Sequence, residues 1–189
     1  MKKSLTQKIY IALIHYPVVN KKGEIIASAI TNLDLHDISR ASKTFGVKKF
    51  YVVTPLEDQK KIAQKLVSHW IKGSGSHQNP LRKQALELIC LLDSVDQAIF
   101  DIKQKEGILP ETVVTHAANH PRSIDYNNLK RLLQKQMPFL ILFGTAWGLS
   151  KEIIENSDHI LNPIRGNTEY NHLSVRSAVS IILDRLMGC

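Results

Sequence analysis

Cysteine is scarce: there are two in 189 residues, Cys90 inside an apolar run and Cys189 at the end of the sequence. Neither has a CxxC partner, so neither a zinc site nor a disulfide framework is indicated, and the plain reading is one buried thiol and one incidental one. Long hydrophobic runs are also missing, and none approaches the roughly 20 apolar residues a membrane-spanning helix needs. The start, Met1-Lys2-Lys3-Ser4, is basic, but the Ile9–Ile14 run behind it is short and is followed by Pro17. It lacks the longer apolar stretch and small-residue cleavage site of a signal peptide. The expectation is a soluble, cytoplasmic protein with no membrane contact.

The glycine fingerprints of nucleotide binding are absent as well. No G-x-x-x-x-G-K-[ST] run occurs, and Gly73 and Gly75 begin a G-x-G-x-x-G that fails at Gln78. An NTPase is therefore disfavoured, and a nucleotide-dependent oxidoreductase is a distant reading. No G-x-S-x-G elbow supports a serine hydrolase. His116 and His120 stand four apart, but they follow a strand-like run and precede Pro121, and Ala117 stands where a zincin helix carries Glu. No metal is expected.

What is present suits one domain over residues 1–189, long enough for a core without staples. A hydrophobic content of 43% argues against disorder. Lys and Arg number 25 against 17 acids, a formal charge of +8. Such an excess favours polyanions through phosphate neutralisation and counterion release. The basic residues are dispersed, however, so charge alone leaves an RNA partner and a merely basic protein evenly matched.

Short apolar runs alternate with amphipathic stretches. Ile9–His15 reads as a buried strand. Leu35, Ile38, Ala41 and Phe45 follow at helical spacing, with Asn32 or Asp34 as the cap and Gly46 as the stop. Phe50–Thr54 is a second strand, and a helix through Ile62, Leu66 and Trp70 closes at Gly73. Gly73–Pro80 reads as the main polar loop and Leu86–Leu92 as a strand, before a helix through Val95, Ile99 and Ile102. Thr112–His116, Phe139–Phe143 and Ile160–Leu161 complete the strands. Leu129–Leu133 lies on a helix, and Val175, Val179, Ile182, Leu183 and Leu186 face inward on the last one. This alternation predicts an α/β fold, a mostly parallel sheet covered by helices on both faces. Ligands of such sheets bind beyond the carboxyl ends of strands, which singles out the loops after Thr115, Phe143 and Leu161.

The second of these loops, Phe143-Gly144-Thr145-Ala146-Trp147-Gly148-Leu149, has two glycines that let backbone approach a ligand closely. A tight strand-to-helix turn without a ligand is the plain alternative. Asn162-Pro163-Ile164-Arg165-Gly166-Asn167 is a polar turn, and Tyr170-Asn171-His172-Leu173-Ser174-Val175-Arg176 leads into the final helix, with Asn171 or Ser174 as its cap. Asp37 and Arg40, three apart, read locally as a solvated ion pair.

Taken together, these segments resemble the SPOUT superfamily of knotted S-adenosylmethionine-dependent RNA methyltransferases. Asp34-Leu35-His36-Asp37-Ile38-Ser39-Arg40, running on to Phe45-Gly46-Val47, is similar to its first motif, in which Asn or a similar polar residue precedes an Arg by six positions. Pro138–Thr145 with Gly148-Leu149 is similar to the second motif, and Ile160–Ile164 with Asn171–Ala178 to the third. A closer resemblance is to the small branch found alone or fused to tRNA guanine methyltransferases, which shares His15-Tyr16-Pro17-Val18, His69-Trp70 and Asn79-Pro80 with Arg82.

The resemblance implies a C-terminal trefoil knot, a homodimer with a shared active site, S-adenosylmethionine as cofactor and RNA, tRNA before others, as substrate. Carried over by position, it places Thr115, His116, Ala117, Phe143, Gly144, Thr145, Gly148, Leu161, Ile164, Asn171, Leu173 and Ser174 at the cofactor. Asn79, Arg82 and Arg165 become candidate RNA contacts. The superfamily's ribose methyltransferases usually have Asn where Asp34 stands and Gly where His36 stands, which leaves the acceptor open. For a ribose 2′-hydroxyl, Arg40 is the candidate that eases proton loss, with Asp37 or Asp34 orienting it. For a guanine ring nitrogen, Asp34 is the candidate base. A non-catalytic RNA-binding module of the same fold is the alternative.

Overall fold

The computed structural model describes residues 8–188, so Cys189 and the basic Met1–Ser4 start lie outside the described residues. Its central strand, β1 (Ile9–Ile14), is six consecutive buried residues. Side chains alternate across a strand, so Ile9, Ile11 and Leu13 enter one core and Tyr10, Ala12 and Ile14 the other. An unbroken apolar run is therefore what this position requires.

The chain continues through a small hairpin, β2 (Val18–Val19) and β3 (Ile25–Ile26), then α1 (Asn32–Thr44), β4 (Phe50–Val53) and α2 (Glu57–Ile71). Two short helices, α3 (Gly75–Gln78) and α4 (Pro80–Leu86), precede β5 (Ile89–Leu92), α5 (Val95–Glu106) and β6 (Glu111–Thr115). The last part comprises β7 (Ser123–Ile124), α6 (Tyr126–Leu133), β8 (Phe139–Gly144), α7 (Lys151–Glu155), β9 (His159–Leu161) and α8 (Val175–Met187). The main sheet has seven strands in the order β5-β4-β1-β8-β6-β9-β7. All its pairings are parallel. Leu35 and Ile38 of α1, Ala63 of α2, Leu129 of α6 and Leu183 of α8 cover one face. Ala98 and Ile102 of α5, with Ile153 and Ile154 of α7, cover the other. No helix among the described residues is long and apolar enough to cross a membrane.

The expected α/β architecture is thus present, with local differences. Thr31, rather than Asn32 or Asp34, caps α1: its hydroxyl accepts from the Asp34 N–H at 3.1 Å and donates to the Asp34 carboxylate at 2.6 Å. The strand expected over Leu86–Leu92 begins at Ile89, because Asn79 Oδ1 accepts from the Arg82 N–H at 3.0 Å and, with Pro80 behind it, starts α4. The polar stretch Gly73–Pro80 folds back against Trp70 as α3. A Cβ on Gly75 would lie 2.7 Å from the Trp70 ring. The strands β2, β3 and β7, two residues each, are too short to show an alternating pattern.

Strand β9 lies between β6 and β7 although β7 follows β6 in the chain. The chain leaving Leu161 therefore passes the 116–122 connection. The entry to β9 is pinned: the Thr112 N–H and hydroxyl both donate to Asp158 Oδ2, at 2.8 and 2.7 Å, and the Asp158 N–H returns to Thr112 Oγ1 at 3.0 Å. Replacing Asp158 by Ala strands the N–H of a buried threonine. Urea unfolding of Asp158→Ala is expected to show a loss of about 1–3 kcal/mol, and Asp158→Asn, which keeps an acceptor oxygen, a smaller one.

Candidate active site

Because β8, β6 and β9 are neighbours, the loops after them emerge side by side and enclose a cavity of about 700 Å³ at the carboxyl edge of the sheet. Phe143, Gly144, Thr145 and Gly148 form one wall, and Thr115, His116 and Ala117 another. Ile164, Asn171, Leu173 and Ser174 close the third side. Leu161 is the exception among the expected cofactor residues: it is buried in the core at the end of β9 and supports the wall rather than lining it.

The glycine loop is shaped by its own packing. A Cβ on Gly144 would lie 2.7 Å from the Leu149 nitrogen, so only glycine permits this return of the backbone. Gly148 has φ +115° and Ala146 φ 50°. The third loop is tied to the first, since the Asn171 side-chain amide donates to the Ala117 carbonyl at 2.8 Å and Arg165 to Asn119 Oδ1 at 2.9 Å. Of the two candidate caps of α8, Ser174 takes the role by accepting from the Ser177 N–H, which leaves Asn171 to bridge the loops.

A relay that starts at the buried His15 supports the glycine loop. Thr145 Oγ1 donates to the Ile14 carbonyl at 2.8 Å and so can only accept from Ser28 Oγ, 2.6 Å away. Ser28 has then used its single proton, and His15 Nδ1, 2.9 Å from Ser28 Oγ, must be the protonated nitrogen that donates to it. His15 Nε2 is left as a buried acceptor without a partner among the described residues. Burial lowers the His15 pKa to about 4, against a smaller opposing pull from Asp34.

The carboxylates are arranged differently from the expectation. Asp34, only 8% exposed, is on the cavity wall, whereas Asp37 and Arg40 line an adjoining groove of about 770 Å³ between α1 and α8. Both carboxylates lie 3.8 Å from Arg176 Nε. Arg40 has no ion pair among the described residues, so neither the local Asp37–Arg40 pair nor its orientation by Asp34 is found. The start of α8 delivers Arg176 between the two acids instead. Arg176 ends the polar string that leads into that helix, but sequence spacing gives no sign that it reaches α1.

The three candidate RNA contacts are not gathered at the cavity. Asn79 uses its side-chain oxygen to cap α4, and the Arg82 guanidinium lies 4.6 Å from the centre of the Trp70 ring. The His36 ring meets the same indole edge-on, and its pKa is lowered by burial and by Arg82 and Arg40, with Asp37 opposing.

Among the described residues no lysine or arginine lines the cavity, and Asp34 is its one carboxylate. Apolar surface comes from Phe143, Ile164, Leu173, Val175 and Ile182. This donor set fits an uncharged ring system with hydroxyls and a cationic centre better than it fits a pyrophosphate.

A parallel sheet whose strand-end loops enclose such a cavity is the α/β architecture expected from the sequence, with its ligand site where such sheets place one. The family model described as SAM-dependent RNA methyltransferase matches residues 8–188, and the chain belongs to that family. S-adenosylmethionine is accordingly its cofactor, and the cavity's chemistry suits it. A tRNA (guanine-N(1)-)-methyltransferase of Oleidesulfovibrio alaskensis is 45% identical over 182 residues, covering 96% of this chain and 42% of that protein. The chain thus spans about two fifths of that relative's length. An uncharacterized protein of Aquifex aeolicus is 38% identical over 185 residues, covering 97% of this chain and 90% of its own length. Among solved structures, a putative methylase family protein from Neisseria gonorrhoeae superposes with a TM-score of 0.64 at 17% identity, covering 99% of this chain and 84% of that one. A TrmH/SpoU tRNA modifying enzyme of A. aeolicus gives 0.57 at 16%, covering 96% and 74%. These two likenesses show the fold.

A histidine whose folded pKa lies below its unfolded value of 6.5 stabilises the native state fully above pH 6.5, and that stability is lost as the pH falls toward 4. His36 acts with the same sign, so the comparison is between wild type and His15→Asn, whose amide can replace the Nδ1–H donor. Stability from urea unfolding is expected to fall more steeply in wild type, by up to about 1.4 kcal/mol per pH unit, over this window. Parallel curves would remove His15 as the source.

Proposed function

We propose that the chain methylates tRNA at a guanine ring nitrogen, with Asp34 as the base that takes the proton. The observation that carries this reading is the place of Asp34: it is the one carboxylate among the described residues on the wall of the cofactor cavity, where an acceptor must enter. Bound S-adenosylmethionine supplies an electrophilic methyl group on a good leaving group. The chain's own residues then have to align a nucleophile and remove one proton. Arg176, 3.8 Å from both acids, keeps Asp34 oriented toward the cavity. The name of the Oleidesulfovibrio relative supports a guanine acceptor, although this chain corresponds to only part of that protein.

One observation favours a second acceptor. The Arg40 guanidinium lines the groove beside Asp37 without an ion pair among the described residues. A free cation there suits a ribose 2′-hydroxyl, whose developing alkoxide it would stabilise. Asn79, Arg82 and Arg165 remain RNA contacts in this reading, Asn79 acting through the helix it caps.

The reading includes a homodimer, because Ser174 belongs to the walls of both the cavity and the α1–α8 groove. A second protomer seated in that groove would reach the acceptor. It also includes the trefoil knot, for which the place of β9 and the bonds from Asn171 and Arg165 to the 116–122 connection speak. A tRNA substrate puts the protein in the cytoplasm.

Asp34→Asn is expected to reduce methyl transfer to unmodified tRNA by roughly 100-fold or more while calorimetry shows cofactor affinity changed only a few-fold. Arg40→Ala should then have the smaller effect; the reverse order, with a 2′-O-methylnucleoside found by mass spectrometry, would establish the ribose acceptor. Binding of tRNA and cofactor by wild type without any label transferred would leave an RNA-binding module.

A further inference from the structure

We propose that the β2–β3 hairpin and Trp147 form a docking site for a single-stranded stretch of the RNA substrate. One nucleobase stacks on the indole, and neighbouring phosphates are held by Lys21 and Lys22. The proposal rests on the methyl-transfer reading and gives the RNA a place at the cofactor loop.

A hairpin with two residues in each strand is not stable alone, and this one is held by the loop it covers. The Trp147 N–H donates to the Val19 carbonyl at 3.0 Å, and the Val19 N–H returns to the Gly148 carbonyl at 3.0 Å. Val18 is fully buried and bridges to Leu149. At the tip, Asn20 Oδ1 accepts from the N–H groups of Lys22 and Glu24, at 2.8 and 3.1 Å, and Gly23 closes the turn with φ +81°. The turn is therefore defined, and its two lysines are left to solvent.

Lys21 and Lys22 are exposed and have no ion pair among the described residues, while the nearby Glu24 carboxylate accepts from the Asn20 amide at 2.7 Å. Lys21 Nζ lies 6.0 Å from the centre of the Trp147 ring. Trp147 itself is 60% exposed, although tryptophan is a residue that usually hides most of its surface. It stands on the cofactor loop and lines the cavity mouth. Because no lysine or arginine among the described residues lines the cavity, phosphates flanking the target nucleotide are to be met outside it. An exposed indole beside two lysines without ion pairs, one of them over the ring, is the combination that binds single-stranded RNA, the open ring face accepting any base and the ammonium groups tracking the backbone. Since the same loop backbone carries the hairpin and walls the cofactor, the two substrates are read by one element.

The test uses the full chain, a single-stranded RNA 10-mer of mixed sequence and an unmodified tRNA transcript. In Lys21→Ala/Lys22→Ala, the slope of log affinity for the 10-mer against log salt should fall by about 1.4, or about 0.7 for each phosphate no longer neutralised. Cofactor affinity should stay within about twofold, and Lys21→Arg/Lys22→Arg should restore the slope. Trp147→Ala should raise the KM for tRNA about tenfold and Trp147→Phe much less, as stacking requires. An unchanged salt slope, or equal losses in the two Trp147 variants, would overturn the proposal. If wild type transfers methyl groups while the slope is unchanged, docking elsewhere is the answer; if the slopes shift but no label is transferred, the docking site stands and the enzymatic reading fails.

Discussion

The short strand β9 has to pair on both of its edges, with β6 on one side and β7 on the other, and the candidate site depends on that insertion. Three residues of strand give little hydrogen bonding of their own. The reciprocal bonds between Thr112 and Asp158 add what the ladder lacks, and they fix β9 in register at its entry. With β9 in place, its exit stands beside the exits of β6 and β8, and three loops far apart in the sequence become the walls of one cavity. Had β9 added to an edge of the sheet, the Asn162–Ser174 segment would have no route to the glycine loop. Topology here does the gathering, and the loops supply only the lining.

A second constraint is electrostatic. The chain carries a net charge of +8, yet none of its lysines or arginines among the described residues lines the cavity. A cationic cofactor centre would be repelled by nearby ammonium groups in a desolvated pocket, while RNA requires cations close at hand. Both demands are met by segregation. Asp34 lines the cavity, Arg176 approaches it from the adjoining groove, and Arg40, Arg165, Lys21 and Lys22 stand outside the cavity lining. The dispersed basic charge that looked uninformative along the sequence therefore acquires a pattern once it is divided into inside and outside.

Most of the sheet was legible because buried parallel strands are unbroken apolar runs, as in Ile9–Ile14 and Phe139–Phe143. The helices on both faces were legible from their spacing. What escaped was of two kinds. Elements of two residues, such as β2, β3 and β7, are too short to carry periodicity, and the Asn20-Lys21-Lys22-Gly23 turn that joins β2 to β3 is not among the sequence-based expectations. Partners brought together across the fold were the other kind: Asp37 and Arg40 have good local spacing for a pair, but α8 brings Arg176 to both carboxylates, a partner more than 130 positions away. Capping errors were small because Ser, Thr, Asn and Asp compete for the role. Thr31 took it from Asn32 and Asp34, whereas Ser174, one of the two candidates for the last helix, does cap it. Of the residues that the resemblance places at the cofactor, all but Leu161 line the one cavity, because the sheet brings their three loops side by side.

The Gly144–Gly148 loop joins these features. From below it is held by the chain from His15 through Ser28 to Thr145, and from outside by the backbone bonds of Val19. Its inner surface lines the cavity, and its Trp147 side chain is largely exposed at the cavity's edge. A loop bonded on two sides by neighbours cannot shift for one ligand without disturbing the other contacts. This is why glycine is needed at 144, where a Cβ would collide with the backbone of Leu149, and why a buried histidine keeps an unpartnered nitrogen. An apolar residue at position 15 would remove that unsatisfied acceptor, but it would also leave Ser28 without its donor and the loop without its lower support. The local penalty at His15 is thus offset by the order it imposes on this wall of the cavity.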